Sequence, residues 1–208
     1  MHGDDGDYYE EMRDLLERAY LTSEDPRGGS GFHGDEVRWE RARRPIVSAV
    51  DRDGTFLDVG CANGLLMESV AAWASEDGFR VEPYGLDLIE SLAAIARRRL
   101  PQWENRIFSG NVIDWHPPLR FDFVHTNLEY VPLHRRREMV ERLLCEYLVA
   151  GGRLIVSSYG SSRRPSPRAE PVGEILRNWG YTPDGETEAA DTNGVVITRV
   201  ARTSLPVA

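Results

Sequence analysis

Residues 56–64 read FLDVGCANG, and no other stretch limits the possible folds as sharply. The apolar run from Phe56 to Val59 reads as a buried strand. Gly60, Ala62 and Gly64 then let the backbone turn tightly into a following helix, with no large side chain to obstruct a ligand lying on the turn. The same alternation continues downstream. TFLDV leads into a helix carrying Leu66, Val70 and Trp73, and YGLDL, with Pro83 at or just before its start, into one carrying Ile89, Leu92, Ala93, Ala96 and Leu100. RIFSG gives a third strand and FDFVHT a fourth. A helix with Met139, Val140, Leu143, Leu144, Tyr147 and Leu148 is expected to stop at Gly151 and Gly152, before a fifth strand, RLIVSSY. A last helix in PVGEILRNWG precedes two strands, around TPDGETEAA and GVVITRVAR, joined by the turn DTNG. Strands alternating with helices fold as a parallel sheet covered on both faces. The expected class is α/β: a doubly wound, mostly parallel seven-stranded sheet with a C-terminal antiparallel hairpin and an N-terminal helical extension.

Asp58, two residues before the first glycine, constrains the ligand. Its charge would repel a pyrophosphate and suits a molecule presenting ammonium and hydroxyl donors. A dinucleotide fingerprint would also need glycine at the sixth loop position, where this chain has Leu65. The formal net charge is -9, and all basic side chains are arginines. An acidic chain repels phosphate backbones, so nucleic acid is not an expected partner. The arginine clusters at 97–99 and 135–137 read as solvated helix surfaces, and Arg163, Arg164 and Arg168 fall in a Pro/Ser loop, SSRRPSPR, expected to be flexible. No apolar run approaches the roughly 20 residues of a membrane span, and MHGDDGDYYEEM has neither the basic nor the apolar region of a signal peptide. No membrane association and a cytoplasmic location are expected. Cys61 and Cys145 match neither a disulfide framework nor zinc-ligand spacing, so no metal site is expected, and Cys61 reads as a small residue packed behind the loop.

From about Gly54 to Arg202 the chain resembles the class I S-adenosylmethionine-dependent methyltransferases, which have a Rossmann-like sheet. In that family an acidic residue closes the first strand before a G-x-G-x-G loop; Asp58, Gly60, Ala62 and Gly64 stand at those places, with Ala62 for the usual middle glycine and Asn63 beside it as a further cofactor contact. The extra methyl is tolerable if Ala62 keeps a negative φ. The resemblance makes Asp87, which ends YGLDL, the acceptor of both ribose hydroxyls, and Leu88 a packing surface for adenine. After the third strand, Asn111 would accept from the adenine amino group through its amide oxygen and Val112 would add backbone contact. At the exit of the fourth strand, FDFVHTNLEYVP, Asn127 would hold the methionine end. His125, Glu129, Tyr130 and His134 would orient the acceptor or take its proton. Strand alternation places His125 and Asn127 on one side. The family's Pro-Pro-aromatic signature for amino-methylating DNA enzymes is missing, which points to a small-molecule acceptor methylated on oxygen or nitrogen.

Domain organisation follows: residues 1–50 as an N-terminal helical extension and 51–208 as the methyltransferase core. Tyr8, Met12, Leu15, Leu16, Ala19 and Tyr20 recur at helical spacing after a disordered start. A second helix is expected from about Asp35, with Val37 and Ile46 among its apolar residues and Pro45 ending or kinking it. Phe32, His33, Trp39 and Arg43 could make this extension a lid, with the Arg43 guanidinium meeting the cofactor carboxylate. Two other functions compete: a catalytically silent cofactor-binding scaffold, and a nicotinamide-dependent oxidoreductase.

Overall fold

A computed structural model describes residues 3–23, 25–161 and 168–204. Seven strands form one sheet: β1 (Gly54–Val59), β2 (Val81–Asp87), β3 (Ile107–Ser109), β4 (Phe121–Asn127), β5 (Leu148–Tyr159), β6 (Gly185–Ala190) and β7 (Val196–Thr203). Their spatial order is β3-β2-β1-β4-β5-β7-β6. The first five run parallel, and β7 is antiparallel to both β5 and β6. The helices are α1 (Gly3–Tyr20), α2 (Glu36–Arg43), α3 (Leu65–Glu76), α4 (Glu90–Arg99), α5 (Arg136–Arg142) and α6 (Val172–Asn178). This is the doubly wound architecture expected from the alternation, closed by the expected hairpin. Asp191 caps the hairpin turn by accepting from the backbone N–H groups of Asn193 and Val195.

Because side chains alternate along a strand, each central strand feeds both faces. Leu57, Val124, Leu154 and Val156 join Met139, Leu143, Leu144, Val172 and Leu176 in one core layer. Phe56, Phe123 and Ile155 point the other way and pack with Trp39, Ile46, Val47, Val70 and Trp73. Asp35 starts α2 by accepting from the Arg38 backbone N–H at 2.8 Å. The Trp39 indole then donates to Ser69 on α3, and Thr198 on β7 donates to the Ala42 carbonyl. The extension is thereby fixed to the same sheet face as Phe56.

Several local expectations are corrected. Helix α1 begins at Gly3, before the expected ordered start, and Leu15 is 63% exposed, so its inward stripe is Met12, Leu16 and Tyr20. Val37 is exposed, and Ile46 is buried in a 3₁₀ turn, Arg44–Ala49, that follows α2 and contains Pro45. Pro83 lies inside β2. Pairing with β3 begins only at Gly85, so a missing N–H is tolerated there. The helix after β4 ends in a π-helical turn, Leu143–Tyr147, and β5 already starts at Leu148. Gly151 and Gly152 are therefore in the strand, where pairing slips from Phe121↔Leu148 to Phe123↔Arg153 and Gly151 takes φ +74°. The SSRRPSPR expectation falls largely on residues 162–167, outside the described residues. No helix among the described residues is long and apolar enough to cross a membrane.

The π-helical turn delivers Tyr147 into the core, fully buried, with its hydroxyl 2.9 Å from the carbonyls of both Val112 and Trp115. Burial pushes its phenol up to about 12. Tyr147→Phe should orphan the Val112 carbonyl, while that of Trp115 keeps the Arg142 guanidinium as donor, and lower stability by about 1–3 kcal/mol in urea unfolding; an unchanged unfolding midpoint would show that the hydroxyl adds nothing.

Candidate functional site

At the carboxyl ends of β1, β4 and β5 the Phe56–Phe123–Ile155 face turns polar. Register aligns Asp58 with His125 and Asn127 with Ser157, and Tyr159 follows Ser157 by one alternation. Asp58, His125, Asn127 and Ser157 are all buried. His125 Nδ1 lies 2.8 Å from Asp58 Oδ1, and Nε2 lies 3.0 Å from the Ser157 hydroxyl and 3.5 Å from that of Tyr159. A carboxylate only accepts, so Nδ1 carries the proton toward Asp58. With one oxygen of Asp58 taken by His125, Oδ2 is buried without a partner among the described residues, as is Asn127 Oδ1, while Asn127 Nδ2 donates to the Tyr130 hydroxyl. Both residues line a cavity of about 180 Å³ with Gly60, Ala62, Arg43, Glu129, Tyr130 and Tyr159.

A second cavity, of about 150 Å³, shares Tyr20, Ser30, Gly60, Ala62, Glu129 and Tyr130 with the first. Asp87, Leu88, Asn111 and Val112 line it, and Met12 and Leu16 of α1 lie across it. Each oxygen of Asp87 accepts one backbone N–H, Oδ1 from Ile89 at 2.8 Å and Oδ2 from Ala62 at 2.7 Å, so lone pairs remain for two further donors. Burial raises its carboxyl to about 6, against the lowering effect of those two N–H groups. Asn111 uses its amide oxygen on the Ile113 backbone N–H, and the Val112 carbonyl takes the Tyr147 hydroxyl.

The loop joining β1 to α3 runs through left-handed backbone at Gly60 (φ +80°), Ala62 (φ +47°) and Gly64 (φ +78°). The expectation of a negative φ at Ala62 is overturned. The hydrogen bond from its N–H to Asp87 holds the alanine in a conformation that L residues avoid. At Gly60 a Cβ would collide with the Tyr130 ring, which lies against the loop. Asn63 and Gly64 line neither cavity. Asn63 works behind the loop, accepting from the Leu65 N–H and donating to the Pro26 carbonyl, which anchors the extension.

Of the expected acid–base residues, the structure brings His125 and Glu129 to the site and leaves His134 outside both cavities, paired with Asp5 of α1 at 2.9 Å. Glu129 is exposed by accessible surface and lines both cavities, and partial desolvation by the surrounding protein raises the pKa of its carboxyl. Ser157, Tyr159 and Tyr20 were not among the residues expected from sequence. The signal for the first two was present in RLIVSSY, since a polar pair at alternate positions ending a buried strand marks a functional sheet edge.

No family model matches this chain, and no curated protein matches it. Solved structures do. The chain is similar to the N-methyltransferase NodS from Bradyrhizobium japonicum WM9 in complex with S-adenosyl-L-homocysteine, with 17% identity and a TM-score of 0.64 over 94% of this chain and 98% of that one. The 1,6-didemethyltoxoflavin-N1-methyltransferase of Burkholderia thailandensis gives 20% identity and a TM-score of 0.63 over 96% and 90%. The magnesium protoporphyrin IX methyltransferase of Synechocystis PCC 6803 gives 16% and 0.61 over 95% and 97%. The fold is that of the class I S-adenosylmethionine-dependent methyltransferases.

Two predictions follow from the loop and from Asp87. In the free protein a carboxyl near 6, against 3.8 ordinarily, stabilises the fold most below pH 3.8, and that contribution is lost as pH rises through about 6. A ligand donating hydroxyls to the ionised form has the opposite dependence. S-adenosylhomocysteine affinity should rise from pH 5 to pH 7, and Asp87→Asn should weaken it at least about tenfold, given roughly 1.5–3 kcal/mol per charge-assisted bond, and abolish the pH trend. Calorimetry decides it, and unchanged affinity in a folded variant would remove Asp87 from the ribose role. Ala62→Gly should relieve about 1–2 kcal/mol of left-handed strain, offset by about 0.4–1 kcal/mol of unfolded-chain entropy. The expected result is stability equal to or up to about 1.6 kcal/mol above the parent in thermal unfolding; a clear loss would contradict the strained geometry.

Proposed function

We propose that this protein is an enzyme that transfers the methyl group of S-adenosylmethionine to the oxygen or nitrogen of a small-molecule acceptor. The observation that carries the reading is Asp58 Oδ2, a buried carboxylate oxygen with no partner among the described residues that belongs to a residue lining the cavity over the β1–α3 loop. Such an oxygen is costly unless a donor reaches it, and an amino-acid ammonium is a fitting donor. Asn127 Oδ1 offers a second acceptor beside it, and Asp87 with its spare lone pairs fits a ribose diol. Leu88, Asn111 and Val112 fit an adenine between α1 and the sheet edge. Arg43 lines the methionine half of the site and suits the cofactor's carboxylate. Asn63 and Gly64 support the loop from behind.

Bound S-adenosylmethionine would supply a methyl already made electrophilic by its sulfonium. The residues of this chain then have three tasks. Asp58, Asn127 and Asp87 fix one reactant, so that alignment is set before the acceptor arrives. Residues 1–50 act as a cover: α1 lies over the adenosine half, Tyr8 donates to the Glu129 carbonyl, and Arg135 binds Asp5, which together exclude water from the shared cavity. Glu129, with its raised pKa, stands where it can take the proton of a hydroxyl or ammonium acceptor. His125 positions Asp58 and has no proton-transfer task of its own.

Release of S-adenosylhomocysteine across a diverse metabolite set tests the activity, and binding without turnover would identify a silent scaffold. With a productive acceptor, Glu129→Gln should lower kcat by about 100-fold and remove the fall in rate as pH drops through the Glu129 pKa, while S-adenosylhomocysteine affinity stays within about twofold. An unchanged kcat would take the base role away from Glu129.

A further inference from the structure

Beyond the methionine half of the site lies a larger cavity of about 490 Å³, which shares Gly31, Arg43 and Tyr159 with it as walls. Phe32, Arg38, Ala42 and Ile197 contribute to its lining, and no carboxylate does so among the described residues. Phe32 and Trp39 meet edge to face at 5.2 Å, and the Arg43 guanidinium stacks on the Tyr159 ring at 3.4 Å from its centroid. Two cations therefore stand on aromatic faces around one opening, in a protein of net charge -9.

The pairing of the arginines makes this opening unusual. Every other half-buried arginine among the described residues is satisfied by a carboxylate or a backbone carbonyl: Arg44 by Glu40 and Glu76, Arg99 by the Asn63 carbonyl, Arg136 by Glu170, Arg153 by Asp51, and the remainder likewise. Among the described residues, the guanidinium groups of Arg38 and Arg43 have ring contacts and no hydrogen-bonded carboxylate or carbonyl partner. Arg38 Nε is buried and without a hydrogen bond, as are the Nε atoms of Arg135, Arg136 and Arg142, whose other guanidinium nitrogens have carboxylate partners. A half-buried guanidinium left without an acceptor is retained at a cost that a bound anion removes.

Resting on the methyl-transfer reading, we infer that this cavity is the acceptor subsite and that its substrate class is a planar aromatic acid, with the ring against Phe32 and Tyr159 and the carboxylate on Arg38. Arg43 serves the cofactor's carboxylate at the seam between the two cavities, so the two arginines divide two anions. The acceptor enters through an opening whose walls are cationic and aromatic, and its nucleophilic atom is directed past Tyr159 toward Glu129. A neutral analogue of the same shape would leave Arg38 unpaired and lose the pairing that fixes its orientation.

The test is calorimetry on the full chain saturated with S-adenosylhomocysteine, titrated with 2-naphthoate and with 2-naphthamide, which differ in charge and little in shape. Naphthoate should bind at least about tenfold more tightly than the amide. Arg38→Gln should bring the two within about threefold while leaving S-adenosylhomocysteine affinity unaltered, and Arg38→Lys should keep part of the preference as a charge control. Arg43→Gln should do the reverse, weakening S-adenosylhomocysteine binding. Equal affinity for acid and amide, no binding of either, or a preference that survives Arg38→Gln would each overturn the inference. If S-adenosylhomocysteine itself fails to bind, the cofactor reading falls, and the naphthoate–naphthamide comparison on the free protein still decides the charge of the subsite.

Discussion

A carboxylate at the buried end of a central strand cannot be left uncompensated, and the hydrogen bond between Asp58 and His125 is the constraint from which the rest of the site follows. The two residues are direct neighbours in the β1–β4 register, on the face that elsewhere carries Phe56 and Phe123. Had the carboxylate been fully satisfied by protein, the sheet edge would be merely polar core. His125 takes one oxygen, and its other nitrogen is held by Ser157, so the imidazole has nothing more to offer. The second oxygen of Asp58 has no hydrogen-bond partner among the described residues, and the proposed cofactor site rests on that open acceptor.

Around this pair the chain gives up backbone comfort for geometry. Left-handed residues at alternate positions 60, 62 and 64 hold the β1–α3 loop close to the sheet edge, and the strain at Ala62 is sustained by one hydrogen bond to Asp87. Asp87 thereby shapes the loop as well as facing the cavity. Its raised pKa has the same origin, since burial outweighs the two N–H groups that it accepts. Asn63, the Pro26 carbonyl and the Asp5–Arg135 pair tie the N-terminal segment to this framework.

Much of this was legible in the sequence because it depends on periodicities of two and on glycine spacing. The order of strands and helices, the closing hairpin, and the placement of His125 and Asn127 on one side all come from local pattern, whereas the pairing of Asp58 with His125 depends on the β1–β4 register. Ser157 and Tyr159 were not legible as partners of His125, because their alignment depends on how many residues slip between the Phe121 and Phe123 pairings. The left-handed Ala62 was hidden for a similar reason: alanine ordinarily adopts negative φ, and only the long-range bond to Asp87 overrides it. His134 sits five positions after Glu129, yet a 3₁₀ turn directs it to Asp5, a contact spanning more than half of the chain. The unpaired state of Arg38 and Arg43 is a property of the folded charge network and cannot be read from composition.

The central claim is that Asp58 presents its free oxygen to an amino-acid ammonium. Calorimetry with S-adenosylhomocysteine and with 5′-methylthioadenosine, which keeps the nucleoside and lacks the amino-acid end, measures that directly. The account predicts that the homocysteine compound binds at least about 100-fold more tightly to the parent protein and that Asp58→Asn removes most of the difference while sparing the nucleoside. Equal affinities in the parent, or a difference that Asp58→Asn leaves intact in a folded protein, would contradict it.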